Sequence, residues 1–357
     1  ETNDAAQVNQ YLDSLKRVRI EIFKADAIRG FFFVLAAAGL VYLFSMQKVK
    51  RSWLIIGVGV LILMDMSSVN RRYLNNENFI RAREFDNPFT ASSADNYILN
   101  DNSDFRVLDI SKSTFNDAST SYFHKSIGGY HGAKLQRYQD LIDYNIQGEI
   151  EKVINELQTG STLQRINEVF DNLDVLNMLN TKYVIYNPDG MPLLNNSTFG
   201  SAWFVNEIIT VANPDEEIAE LNNYDLGTTA IVDNKFSQIT SKINISDDSS
   251  ATIVQNSYAP NHLVYSSKSN SNQVAVFSEI YYDKGWNAYI DGQKVDYFRA
   301  NYVLRALEIP SGEHTIEFRF EPQVFKIGER ISFASSLLLI LLLLGGIYVE
   351  GKKYFIN

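Results

Sequence analysis

The densest set of side chains able to do chemistry lies in residues 119–143, STSYFHKSIGGYHGAKLQRYQDLID. His124, Lys125, Tyr130, His131, Lys134, Arg137 and Tyr138 surround the pair Gly128-Gly129. A glycine turn that leads into a helix can point backbone N–H groups at an anion, and flanking Lys, Arg and His side chains can pair with phosphate. The same composition also describes an ordinary loop and helix cap whose polar side chains face water. Sequence alone leaves both readings standing. Asp65 is a second candidate, because an acid within an apolar stretch is costly and marks function by default. Its plain alternative is interfacial water, or pairing with Arg71 or Arg72. Tyr281, Tyr282, Trp286, Tyr289 and Tyr297 form a third set, read either as a surface on which sugars stack or as the core of a β-sandwich.

Other chemistries find no foothold. His124 and His131 are seven residues apart, His262 and His314 stand alone, and the chain has no cysteine, so no metal-ligand spacing is present. The sequence contains no GxSxG elbow, phosphate-binding P-loop or GxGxxG turn. No residue is therefore assigned a catalytic or metal-binding role, and the cofactor is left unknown.

The elements that must carry these residues are unevenly distributed. Residues 30–46 and 331–349 carry no charge, and each can cross roughly 30 Å of hydrocarbon at about 1.5 Å per residue. Residues 53–69 are a weaker span, since only WLIIGVGVLILM precedes Asp65. We count it as one, because the first span otherwise has nothing to return it. The short loop 47–52 holds Lys48, Lys50 and Arg51, and Lys352 and Lys353 follow the last span. The positive-inside bias makes that side cytoplasmic and puts residues 69–330 outside, with the N-terminal arm. Lack of cysteine fits an oxidising compartment. A net charge of −10 speaks against nucleic acid, which needs a basic stripe.

Within the outer region, FRVLDI (105–110) reads as a strand, residues 133–146 as a helix with apolar residues three or four apart, and 172–180 as a helix running into the strand TKYVIYN. Such alternation predicts an α/β domain. From TTAIVD to HTIEFRF the pattern changes to about eight short strands with turn signals between them, of which Asp291-Gly292 is the strongest. That predicts a β-sandwich. The expected fold is thus a membrane-protein fragment with three transmembrane helices, an external α/β domain and a β-sandwich. Its divisions are an amphipathic arm (1–29), two spans (30–69), the α/β domain (70–225), the sandwich (226–325) and a last span (331–349). Glu1 is no start methionine, which leads us to expect chain upstream.

Several separate stretches carry a family resemblance in order. YFHKSIGGYHGAKLQRYQDLID, LDVLNMLNTKYVIYN, AWFV and YYDKGWNAYIDGQKV followed by RANYVLRALEIPSGEHTIEFRFEP, with MDMSSVNRRYLN near the second span, together resemble the C-terminal part of the YfhO family of bacterial membrane proteins. The resemblance implies a polytopic transferase of the GT-C type, which takes a sugar from a polyprenyl-phosphate donor and passes it to a cell-envelope glycan on the outer face of the cytoplasmic membrane. In such enzymes the catalytic acid lies in the first external loop, so this chain would lack it and be inactive alone. The implied partners are membrane lipid, a lipid-linked sugar and an envelope glycan. The arm at 11–29, with Leu12, Leu15, Val18, Ile22 and Phe23 on roughly one face, would lie along the membrane surface. A second function class stays open, a non-catalytic envelope module that binds a glycan or partner protein through the sandwich.

Overall fold

The structure is a computed structural model that describes residues 2–79, 81, 85, 89–160, 162–246 and 248–355, with side chains described from residue 12 to residue 352; Glu1 and the side chain of Lys353 lie outside these. Two units divide the chain, Glu1–Pro88 and Phe89–Asn357.

The first unit is a helical hairpin of α1 (Thr2–Ser45) and α2 (Arg51–Tyr73). Its turn is set by Gln47, which adopts φ 56°. Gln47 N–H donates to the Phe44 carbonyl at 2.9 Å and Lys48 N–H to the Leu43 carbonyl at 3.0 Å, the paired bonds that end a helix at a left-handed residue. The helices approach where Gly57 faces Leu40, since a Cβ there would sit 3.0 Å from Leu40 Cδ1. Small residues allow such close contact in apolar hairpins. Among the described residues three helices are long and apolar enough to cross a membrane, over Leu12–Ser45, Arg51–Asn78 and Gln323–Lys352. The weak second span is therefore long enough. The arm differs from expectation: it is continuous with the first span. At about 1.5 Å per residue, α1 runs for about 66 Å, roughly twice the hydrocarbon thickness. Helix-forming residues without Pro between 11 and 29 give the backbone no reason to break there.

The second unit begins with a small sheet. β1 (Arg106–Asp109) runs parallel to β2 (Thr181–Ile185), and β3 (Leu193–Leu194) pairs antiparallel with β2. Between β1 and β2 the chain forms helix Gln136–Leu141, a π-helical turn Ile142–Ile146, and helices Gln147–Gln158, Leu163–Phe170 and Asp174–Met178. Glu149, almost fully buried, closes the last of these: its carboxylate accepts from Val175 N–H at 3.0 Å and Leu176 N–H at 2.8 Å. A negative group suits a helix N-terminus. β5 (Glu207–Val211) pairs in parallel with β6 (Thr229–Asp233) across helix Pro214–Glu220.

The remaining strands build a sandwich of two antiparallel sheets. One has the order β11 (Gln293–Val295), β10 (Trp286–Ile290), β14 (Gly312–Phe320), β8 (His262–Ser269), β7 (Thr252–Ala259). The other has the order β12 (Phe298–Ala300), β13 (Leu304–Ile309), β9 (Gln273–Ile280), β4 (Ala202–Val205). The two sheets read differently in sequence for a physical reason. β8 alternates, burying Leu263 and Tyr265, because only one of its faces is covered. β9 is apolar at Val274, Ala275, Val276 and Phe277 because both faces are covered. Ala275 and Phe277 join the sandwich core with Tyr265 and Phe318, while Val274 and Val276 join the α/β core with Leu176 and Val205. Chain from before residue 226 thus enters the sandwich as β4, and TTAIVD, expected in the sandwich, pairs with β5 instead. The four-stranded sheet is a shared wall, and a wall needs strands from both neighbours. The Asp291-Gly292 turn meets its expectation, with φ 49° and 79° and Ile290 opposite Gln293.

Candidate functional site

The glycine segment is pinned rather than open. Val107 of β1 exchanges backbone hydrogen bonds with the segment: its N–H donates to the Lys125 carbonyl at 2.8 Å and its carbonyl accepts from Ile127 N–H at 3.0 Å. Gly128 must be glycine, because a Cβ would lie 1.9 Å from the Thr114 carbonyl oxygen. Its N–H donates to Ser126 Oγ at 3.1 Å, and Gly129 N–H, at φ 119°, donates to the Thr114 carbonyl at 2.8 Å. The helix starts only at Gln136. Both glycine donors are used within the protein and neither stands at a helix N-terminus.

The predicted site residues separate into four places. His124 is buried with Nε2 2.9 Å from Asp95 Oδ1. Lys125 pairs with Asp104 and sits 2.9 Å from the centroid of the Tyr258 ring; burial draws its pKa down despite the carboxylate. Tyr130, His131 and Lys134 do come together, around a hollow of about 320 Å³ shared with Phe115 and Tyr138. There Lys134 Nζ donates to Gln139 Oε1 at 3.1 Å, His131 Nδ1 accepts from Ala133 N–H at 3.0 Å, and the Tyr138 hydroxyl donates to the Ile127 carbonyl at 2.7 Å. Burial pushes the Tyr138 pKa up to about 12.

Arg137 belongs to a buried ionic cluster that sequence reasoning missed. Its guanidinium stacks 4.5 Å over the Tyr302 ring and lies 3.5 Å from Glu217 Oε2. Arg299 Nη2 meets Glu217 Oε2 at 2.7 Å and Asp233 Oδ2 at 3.3 Å, and all three side chains are nearly or fully buried. Burial outweighs both arginines and leaves the Glu217 pKa above its ordinary value. The hairpin between β12 and β13 is held in the left-handed region at Asn301 (φ 48°) and Tyr302 (φ 67°), and Asn301 Oδ1 accepts from Ile231 N–H at 2.9 Å. The available signal was an arginine in an otherwise apolar strand, Phe298-Arg299-Ala300, since a buried charge needs a partner. This cluster ties β12 to β6 and helix Pro214–Glu220.

Asp65 pairs across the hairpin, with its Oδ1 3.3 Å from Arg29 Nη1. Arg72 instead meets Asp26 at 2.7 Å, and Arg29 donates to Ser68 Oγ at 2.6 Å. The expected partners Arg71 and Arg72 are six and seven residues along the same helix, about 9 and 10 Å away in rise, so the neighbouring helix supplies the charge. Two acids and two arginines cancel there.

The aromatic set also divides. Tyr281 and Tyr297 pack into the cores, 5.3 Å apart between ring centroids, and the Tyr289 hydroxyl donates to Glu321 Oε2 at 2.7 Å. Trp286 also packs against the sandwich core, and with Tyr282 it lines a groove of about 1140 Å³ where β10 and β14 meet the start of the C-terminal helix Gln323–Phe355. Trp286 is held beside Phe320 and under Arg305, whose guanidinium is 4.1 Å from its ring centroid. Gly285 lets the strand pass Phe320, where a Cβ would come within 2.7 Å of Cε2. Lys284, Lys294 and Lys326 line the same groove with Asp283, Glu321 and Glu329. Among the described residues neither Lys284 nor Lys294 is held in an ion pair. The uncharged run of the helix starts at residue 331, so the groove lies at the interfacial end of a candidate span, where amphipathic aromatics favour the headgroup level. Among the described residues no group of His, Asp and Glu is arranged to hold a metal ion.

No curated protein and no solved structure matches the chain. Residues 217–332, from Glu217 of the buried cluster to the first turns of the C-terminal helix, match the model of a family described as bacterial membrane protein YfhO, which bears out the family resemblance read from the sequence.

Proposed function

We propose that the chain is the C-terminal part of a membrane glycosyltransferase that moves a sugar from a polyprenyl-phosphate donor to an envelope glycan on the outer face of the bacterial cytoplasmic membrane. The observation that carries this reading is the juxtamembrane groove. Its lysines offer charge-assisted donors to a phosphate at headgroup depth, and the exposed Tyr282 offers a ring face to the attached sugar. The basic loop at Lys48, Lys50 and Arg51 supports the assignment of the opposite side as outer. In this reading the groove holds the donor headgroup while a carboxylate outside these residues acts as general base on the acceptor hydroxyl.

The test is transfer from a short-chain polyprenyl-phosphate sugar by the full-length protein in proteoliposomes. Replacing Lys284, Lys294 and Lys326 by alanine together is expected to cut transfer at least tenfold, with insertion unchanged. Transfer that survives the triple variant moves the donor elsewhere. An intact protein that transfers nothing, yet retains glycan, favours the anchored envelope module.

A further inference from the structure

A second cleft, of about 610 Å³, opens between the α/β body and β7. β7 is the edge strand of the five-stranded sheet. One wall carries Asn102, Ser103 and Lys182; the other carries Gln255, Asn256 and Tyr258. We propose that this cleft binds a neutral, hydroxyl-rich saccharide stretch of the envelope glycan, which makes it the acceptor-side site.

Four observations carry the inference. Gln255 lines the cleft with its Nε2 3.4 Å from the Tyr265 hydroxyl, and its Oε1 is buried with no hydrogen-bond partner. Such a group is costly unless a ligand or water fills it. The strand register slips between Gln255 and Ser257, where Gln255 faces Tyr265 and Ser257 faces Val264. That bulge places an extra residue, Asn256, in the strand and redirects side chains, a device common beside binding sites. It also spoils the ladder that an added peptide strand would need, which favours a saccharide over a peptide on this edge.

The charges then choose between saccharide and phosphate. Lys182 Nζ is 2.5 Å from Asp101 Oδ2 and 2.9 Å from Ser103 Oγ, and Lys125, beside Tyr258, pairs with Asp104. Each cation already has its carboxylate, so the cleft has no spare positive charge for an anion. What remains are amides and hydroxyls that both donate and accept, as each sugar hydroxyl does. Tyr258 is 43% exposed; Lys125 covers one face of its ring, and the opposite face is the one offered to a sugar.

The role as acceptor rests on the transferase reading, whereas the binding itself does not. Saturation-transfer NMR on the full chain, in a detergent without a sugar headgroup, tests it with α- and β-linked tetrasaccharides of glucose, galactose and N-acetylglucosamine. We expect saturable binding of one of them, weakened at least tenfold by Asn102→Ala with Gln255→Ala at unchanged melting temperature, and indifferent to inorganic phosphate. The exposed Asn102→Ala alone should weaken it in a variant that folds. No saturable signal across the set, a signal that survives the double variant, or displacement by phosphate overturns the inference. Binding by a protein that transfers nothing supports this site and removes only the transferase reading; transfer without binding does the reverse.

Discussion

The glycine segment and the juxtamembrane groove are built from the same residue types, basic side chains among aromatic rings, yet they differ in what those side chains are already doing. In the segment, His124, Lys125, Lys134 and Arg137 each hold a partner in the fold, and both glycine N–H groups are spent on Ser126 and Thr114. In the groove, Lys284 and Lys294 face open space beside Tyr282 and Trp286. Composition shows which chemistry is available to a segment. Whether it is free for a ligand is decided by long-range partners such as Asp104 and Glu217, which no local pattern announces.

If the segment is architecture, damage to its anchors should appear in stability. The largest effect is expected from Arg299→Ala, which strips Asp233 of its buried partner charge, leaves Glu217 with Arg137 alone, and should cost about 3–5 kcal/mol. Chemical denaturation of the full chain in detergent reads this, and a loss under about 1 kcal/mol would show the cluster to be solvated. Gly128→Ala comes next, because the new Cβ meets a backbone carbonyl that cannot swing away. A loss of about 1–3 kcal/mol is expected from such overpacking, against little for Gly132→Ala, whose Cβ would meet nothing within 4 Å.

A pH effect of smaller size should arise at Glu149. Burial raises its pKa from 4.5 to about 7. Between those values the folded chain keeps a proton that the unfolded chain has lost, so stability falls as pH rises from about 4.5 to about 7 and levels off above. Glu149→Gln should remove that slope in melting curves taken across the window. The smallest effect belongs to Asp65→Asn. Arg29 keeps Asp26 at 3.6 Å, so thermal unfolding should move by no more than about 1 kcal/mol. A large loss would mean that the hairpin charges serve more than pairing.

Much of the architecture was legible because the patterns follow burial. Uncharged runs marked the spans, and turn signals between short apolar runs marked the strands of the sandwich. Asp291-Gly292 marked its hairpin because both residues tolerate positive φ. The sharing of one sheet between two cores was not legible, since AWFV is short and TTAIVD looks the same in a sandwich as in a parallel pair. Nor was the division of the candidate site. His124 and Lys125 are sequence neighbours, but on an extended backbone they point to opposite sides, one to Asp95 and the other to Asp104. Asn301 and Tyr302, non-glycine residues at positive φ, hide a turn that glycine would have revealed.

The most direct test of the groove against the segment is binding of a short-chain polyprenyl phosphate to the full chain in micelles, followed by native mass spectrometry. The account predicts that Lys284→Ala with Lys294→Ala weakens binding at least tenfold, while Lys134→Ala leaves it unchanged. Binding lost with Lys134 and kept without Lys284 and Lys294 would contradict it and return the phosphate to the glycine segment.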